Sequence, residues 1–223
     1  MADDPQTPPS LAETAYKRIE EMIVTRALKP GAMISEKRLA DEIQCGRTPV
    51  REALQRLRIE GYIEVHPSRG VQVSTIDVFR QFELLEVRRP LEDLMVRLAA
   101  DRAVVSQRDR MIELAAEITA AAADRDRGAF LRANRAIHEL LAQAAHNAIL
   151  AGSIGALHGL SRRFWYAYIE DQDVFEEAAR LHAATLTAAA DREIEKASGR
   201  ARDFLNFLED LTRKALSERL RHT

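Results

Sequence analysis

The chain has 223 residues, 46% of them hydrophobic and 30% charged, with a formal net charge of −2. This composition describes a soluble folded protein rather than a disordered one, and the near-neutral charge excludes one that coats nucleic acid indiscriminately. No apolar run approaches the ~18 residues of a membrane span. The only cysteine, Cys45, excludes an intrachain disulfide, and a cytoplasmic location is expected.

Residues 1–10 are acidic and Pro-rich, without the basic and apolar regions of a signal peptide, and are expected to be a disordered lead-in. Leu11, Ala15, Ile19, Met22 and Ile23 have helical spacing and predict a helix from Leu11 to Leu28, stopped by Lys29-Pro30-Gly31. Ser35 can cap a short second helix through Ile43, with Glu36 in its first turn, and Gln44-Cys45-Gly46 supplies a turn. Thr48-Pro49 then starts a third helix, Thr48 as cap and Pro49 at the first helical position, ending near Gly61. Tyr62–Val65 and Gly70–Ser74 alternate as two strands around His66-Pro67-Ser68-Arg69.

Beyond residue 77 the pattern is helical, in about six stretches near 77–103, 106–126, 128–145, 147–170, 173–190 and 193–221. Pro90 is the only proline there and should kink its helix or mark a tight packing site. The fold class is therefore mainly α: an N-terminal winged helix-turn-helix (11–74), a linker (75–78) and a C-terminal all-α helical bundle (79–223).

Between Leu11 and Ile76 eleven basic residues stand against nine acidic ones, so position must identify any DNA-facing surface. Val50, Ala53, Leu54 and Leu57 form one apolar face of the third helix. Arg51, Gln55 and Arg58 lie on the other, with Arg47 and Thr48 at the helix start. A recognition helix presents its N-terminal side chains to base edges, and arginine's planar fork can bond guanine O6 and N7 together. Thr48 and Lys37 are placed for phosphate contacts, and the Arg69-Gly70 tip for the adjacent groove or backbone.

The run from Ile34 to Val73 resembles the DNA-binding domain of the GntR family of bacterial regulators, above all in Arg47-Thr48-Pro49-Val50-Arg51-Glu52-Ala53-Leu54 and Glu60-Gly61-Tyr62. The resemblance implies operator contacts by Arg47, Thr48, Arg51 and the wing tip at Arg69-Gly70. Lys37 matches a position that is often basic. The helical remainder resembles the ligand-binding FCD domain of the FadR subfamily, through Glu86–Glu92 with Leu98-Ala99-Ala100, Asn134–His138, and His182 with the helix after it. Many members hold a divalent metal inside the bundle with an Asp or Asn, a His four residues later and two further His.

Asn134 and His138 stand at i and i+4 on one helix face, and His182 could supply a third ligand to zinc or nickel. The position implied for the fourth is Phe204, which cannot coordinate. Its neighbour Asp203 is turned ~100° around the helix. The competing reading makes His138 and His182 hydrogen-bonded groups of a pocket without metal.

The resemblance also places Arg88 toward the cavity, where it could pair with an effector carboxylate, the rival being a salt bridge to Glu92 one turn on. Arg162 and Tyr166 belong to a cluster of cations and aromatics that lines either a pocket or a core or dimer contact. His146 and His158 read as ordinary helix residues.

The expected function is a homodimeric transcriptional repressor that binds double-stranded operator DNA and answers to a small carboxylate. A metal-responsive regulator is the alternative. A metal-dependent hydrolase is disfavoured: no carboxylate base sits at motif spacing beside the histidines, and no Gly-rich phosphate loop or nucleophile elbow occurs.

Overall fold

The computed structural model describes residues 10–66, 70–168 and 172–221. The lead-in before Ser10 and the wing residue Arg69 lie outside the described residues. The chain divides into two compact units between Ile76 and Asp77.

In the first unit, α1 (Leu11–Val24) is capped by Ser10, whose hydroxyl accepts from the Glu13 amide, and it buries Ala15, Ile19 and Ile23. It ends at Val24 rather than Leu28, because Arg26 adopts a left-handed φ of 60° and the Thr25 hydroxyl donates to the Glu21 carbonyl. Ser35 caps α2 (Glu36–Glu42) as its position predicts. The third helix, α3 (Arg47–Ile59), begins at Arg47 with Gly46 as its cap and no capping side chain. Thr48 therefore lies inside the first turn instead of capping it.

A strand too short for alternation to reveal, β1 (Met33–Ile34), joins the expected hairpin of β2 (Ile63–His66) and β3 (Gly70–Val73) in an antiparallel sheet of order β1-β3-β2. Gly61 at φ 84° turns the chain from α3 toward β2, and Gly70 at φ 90° opens the return strand. These are backbone conformations that L-residues reach only at a cost.

Tyr16 on α1 donates to a Glu60 carboxylate oxygen at 2.6 Å. Arg56 lies 3.7 Å over the Tyr16 ring and bonds both Glu13 and Glu60. The Glu60-Gly61-Tyr62 run thus clamps α1 to α3.

Among the described residues the second unit is six helices: α4 (Val78–Arg102), α5 (Val105–Ala123), α6 (Arg127–Ala144), α7 (Ala148–Tyr168), α8 (Gln172–Ala190) and α9 (Ile194–Arg221). Val78, expected in the linker, is the first residue of α4; the Asp77 side chain caps that helix at the Phe79 amide. The helix continues through Pro90. It packs against α6, α7, α8 and α9, so its buried face lies at the centre of the bundle. Met95, Val96, Met111, Ile118, Ile137 and Leu186 build the apolar core around it. No helix among the described residues is long and apolar enough to cross a membrane.

Candidate functional site

Two sites emerge, one in each unit. On α3, Val50, Ala53, Leu54 and Leu57 are buried and clamp the helix from behind. Arg47, Thr48, Arg51, Gln55 and Arg58 are all exposed, as is Lys37 on α2. Arg51 is held by Glu36 of α2 at 3.1 Å, an exposed pair of the kind that contributes little to stability. Gly70, paired with His66 at the turn end of the hairpin, is exposed. The six described candidates thus stand open to solvent on this unit.

The second site is assembled inside the bundle from five helices. From α4, Arg88 bonds Glu92 at 2.8 Å, both within 4% exposure, and reaches the Ser161 hydroxyl of α7 at 3.1 Å. From α7, His158 donates to the same Glu92 carboxylate at 2.9 Å. From α6, the His138 ring stacks on His158 at 3.8 Å, and its Nε2 lies 3.5 Å from the Arg88 guanidinium. Its Nδ1 is buried without a hydrogen-bond partner, 3.7 Å from Glu92 Oε1. Asn134 meets His182 of α8 at 2.8 Å, and Phe204 of α9 packs on the His182 ring at 4.1 Å.

Burial sets the charge states. It pushes the imidazoles of His138 and His158 down, and that of His182 down to about 3. Burial alone would raise the Glu92 carboxyl, but the Arg88 charge and the His158 hydrogen bond outweigh this and hold it well below the carboxylate range. The centre is therefore one arginine–carboxylate ion pair surrounded by neutral rings.

Arg88, Arg162, Asn134, His138, His158 and Ser161 provide polar walls to a cavity bounded elsewhere by Phe130, Trp165 and Phe204 among others. Its volume, about 20 Å³, suits a single water molecule. Tyr166 is absent from the lining: its ring packs instead against Arg127, whose guanidinium lies 5.0 Å away. His182 reaches the cavity through Asn134 rather than by lining it.

The implied metal set is only partly assembled. Asn134, His138 and His182 are neighbours, but Phe204 fills the fourth position with an aromatic ring. Asp203 faces outward to Arg200. A different trio, Glu92, His138 and His158, has ligand atoms all within 4.8 Å of one another and offers the carboxylate and imidazole donors that a divalent ion takes.

Sequence reasoning passed over His158 as an ordinary helix residue, whereas it is buried at the centre of the cluster. His146 lies in the turn after α6 at φ 47°, not in a helix. A signal was available for His158: with Ser161, Arg162 and Trp165 it forms an i, i+3, i+4, i+7 stripe, and all four line the cavity.

A winged helix-turn-helix followed by an all-helical bundle defines the class. Residues 11–73 match the family of bacterial regulatory proteins, gntR family, and residues 83–207 match the FCD domain. The chain belongs to the GntR family and carries an FCD domain.

Among relatives, it is 30% identical over 59% of its length to the HTH-type transcriptional regulator YdhC of Bacillus subtilis, covering 59% of that protein. It is 39% identical over 37% of its length to the Nta operon transcriptional regulator of Aminobacter aminovorans, covering 39% of it. The chain thus spans less than two thirds of the length of these relatives. The HTH-type transcriptional repressor RspR of Escherichia coli is 25% identical over 80% of the chain and 78% of its own. Escherichia coli McbR/YncC shares the fold, with a TM-score of 0.79 and 22% identity over 92% of this chain and 98% of that one.

Proposed function

We propose that this protein is a cytoplasmic, sequence-specific DNA-binding transcriptional repressor whose operator affinity is set by a small organic acid in the helical domain. The observation that carries the reading is the two-sidedness of α3. Its aliphatic face is buried while Arg47, Thr48, Arg51 and Gln55 are exposed at and beyond its start. Arg47 and Arg51 would read base edges, Thr48 and Lys37 would contact phosphates, and the wing at Arg69-Gly70 would reach the neighbouring groove.

Two copies of the chain would pair so that two such helices meet the halves of a near-palindromic operator. The carboxylate class of the effector is supported by Arg88 and Arg162 in the cavity wall, since guanidinium groups receive carboxylates in two parallel bonds. At about 20 Å³ the cavity does not hold such a molecule, so binding must move side chains of its wall. Arg88 and Gln81, both on α4, bond Ser161 of α7. An acid that draws Arg88 away would therefore loosen α4, the helix that begins at Val78 directly after the linker. Operator affinity then changes by the difference in effector affinity between the two arrangements.

The test is a double Arg47→Ala, Arg51→Ala variant, checked for an unchanged oligomeric state and titrated with DNA from upstream of its own gene. Loss of affinity by ~100-fold or more is expected, from about 1–3 kcal/mol per arginine contact. Undiminished binding would remove the DNA assignment.

A further inference from the structure

The helical domain contains a second candidate donor set, and an arginine already sits against it. We propose that Glu92, His138 and His158 form a divalent-metal site guarded by Arg88, the guanidinium and the metal ion being alternative partners of one carboxylate.

Three observations carry this. The ligand atoms of the trio lie within 4.8 Å of one another, inside the bundle. His138 Nδ1 is buried with no hydrogen-bond partner, 3.7 Å from Glu92 Oε1, so one donor is uncommitted. The carboxylate itself is held by Arg88 at 2.8 Å and His158 at 2.9 Å.

Charge then decides which cation stays. One carboxylate balances one guanidinium. Adding a divalent ion beside a retained Arg88 would set three positive charges against one negative in a buried site, which is unfavourable where water cannot screen them. A metal enters only as Arg88 leaves Glu92 and the His158 Nε2 proton, now donated to that carboxylate, shifts to Nδ1 or is released.

Stripped full-length protein is titrated with zinc alone in competition with a chromogenic chelator. Weak binding is expected for the wild type. Arg88→Met and Arg88→Gln, both without the charge, should bind about 100-fold more tightly. Arg88→Lys should stay weak, and adding His158→Ala to either neutral variant should abolish the gain. Circular dichroism identifies any variant that fails to fold.

Within the wild type, His158→Ala should lower the residual affinity and His182→Ala should not. Zinc binding that depends on His182 and ignores His158, or neutral Arg88 variants no tighter than wild type, would overturn the proposal. Because no DNA enters the measurement, its failure is separable from that of the repressor reading.

Discussion

The Phe204 ring lies against the His182 imidazole, 4.1 Å between centres, in the position where a fourth metal ligand was implied. The contact seals one side of the polar cluster and leaves His182 its bond to Asn134. Phe204 is also almost fully buried, so it serves packing and the cavity together.

Phe204→Ala should cost about 3–4 kcal/mol of stability, the usual loss when a buried aromatic ring leaves a void. Chemical denaturation would read this as a lower midpoint at unchanged slope. A cost near zero would mean that the ring contributes no packing.

The Glu36–Arg51 pair makes a prediction on the DNA side. Glu36 places a negative charge beside a side chain proposed to face DNA. Glu36→Gln removes both the competition for Arg51 and the repulsion from phosphate, so operator binding should tighten severalfold at low salt. Fluorescence anisotropy across a salt series measures it; a weaker complex would place Glu36 among the DNA contacts instead.

Acid should destabilise the helical domain in a defined window. His182 falls from 6.5 to about 3 on folding, so the folded chain refuses a proton that the unfolded chain accepts. Its contribution is fully present above about pH 6.5 and is lost as pH drops toward 3, at roughly 1.4 kcal/mol per pH unit. His138 and His158 shift in the same direction, and the depressed Glu92 carboxyl adds to the loss below the ordinary carboxylate range. In urea titrations between pH 6.5 and 4.5, His182→Gln should flatten the dependence by about one proton. An identical slope in the variant would show that this imidazole does not titrate as argued.

The Tyr16–Glu60 bond is a stability element of the DNA-binding unit. Tyr16→Phe and Glu60→Gln should each cost about 1–3 kcal/mol, as expected for a hydrogen bond to a charged group, and the double variant less than their sum. Additive losses would show that the two side chains do not act as a pair.

Local periodicity carried much of this protein in the open. The order of helices and the wing hairpin follow from spacing, caps and turn residues, and the two faces of α3 were legible because a helix sorts its residues every 3.6 positions. The same rule put Asn134 beside His138 and turned Asp203 away from Phe204. The two-residue β1 was too short to show a period, and α1 stopped early because a left-handed Arg26 carries no periodic mark.

Only the tertiary structure decided that Arg88 is both ion pair and cavity wall, that His158 shares Glu92 with it, and that Tyr166 turns to Arg127. Each is a contact between helices far apart in sequence. A helix pattern names the face that is buried, but which residues meet across it depends on how five helices pack around one centre.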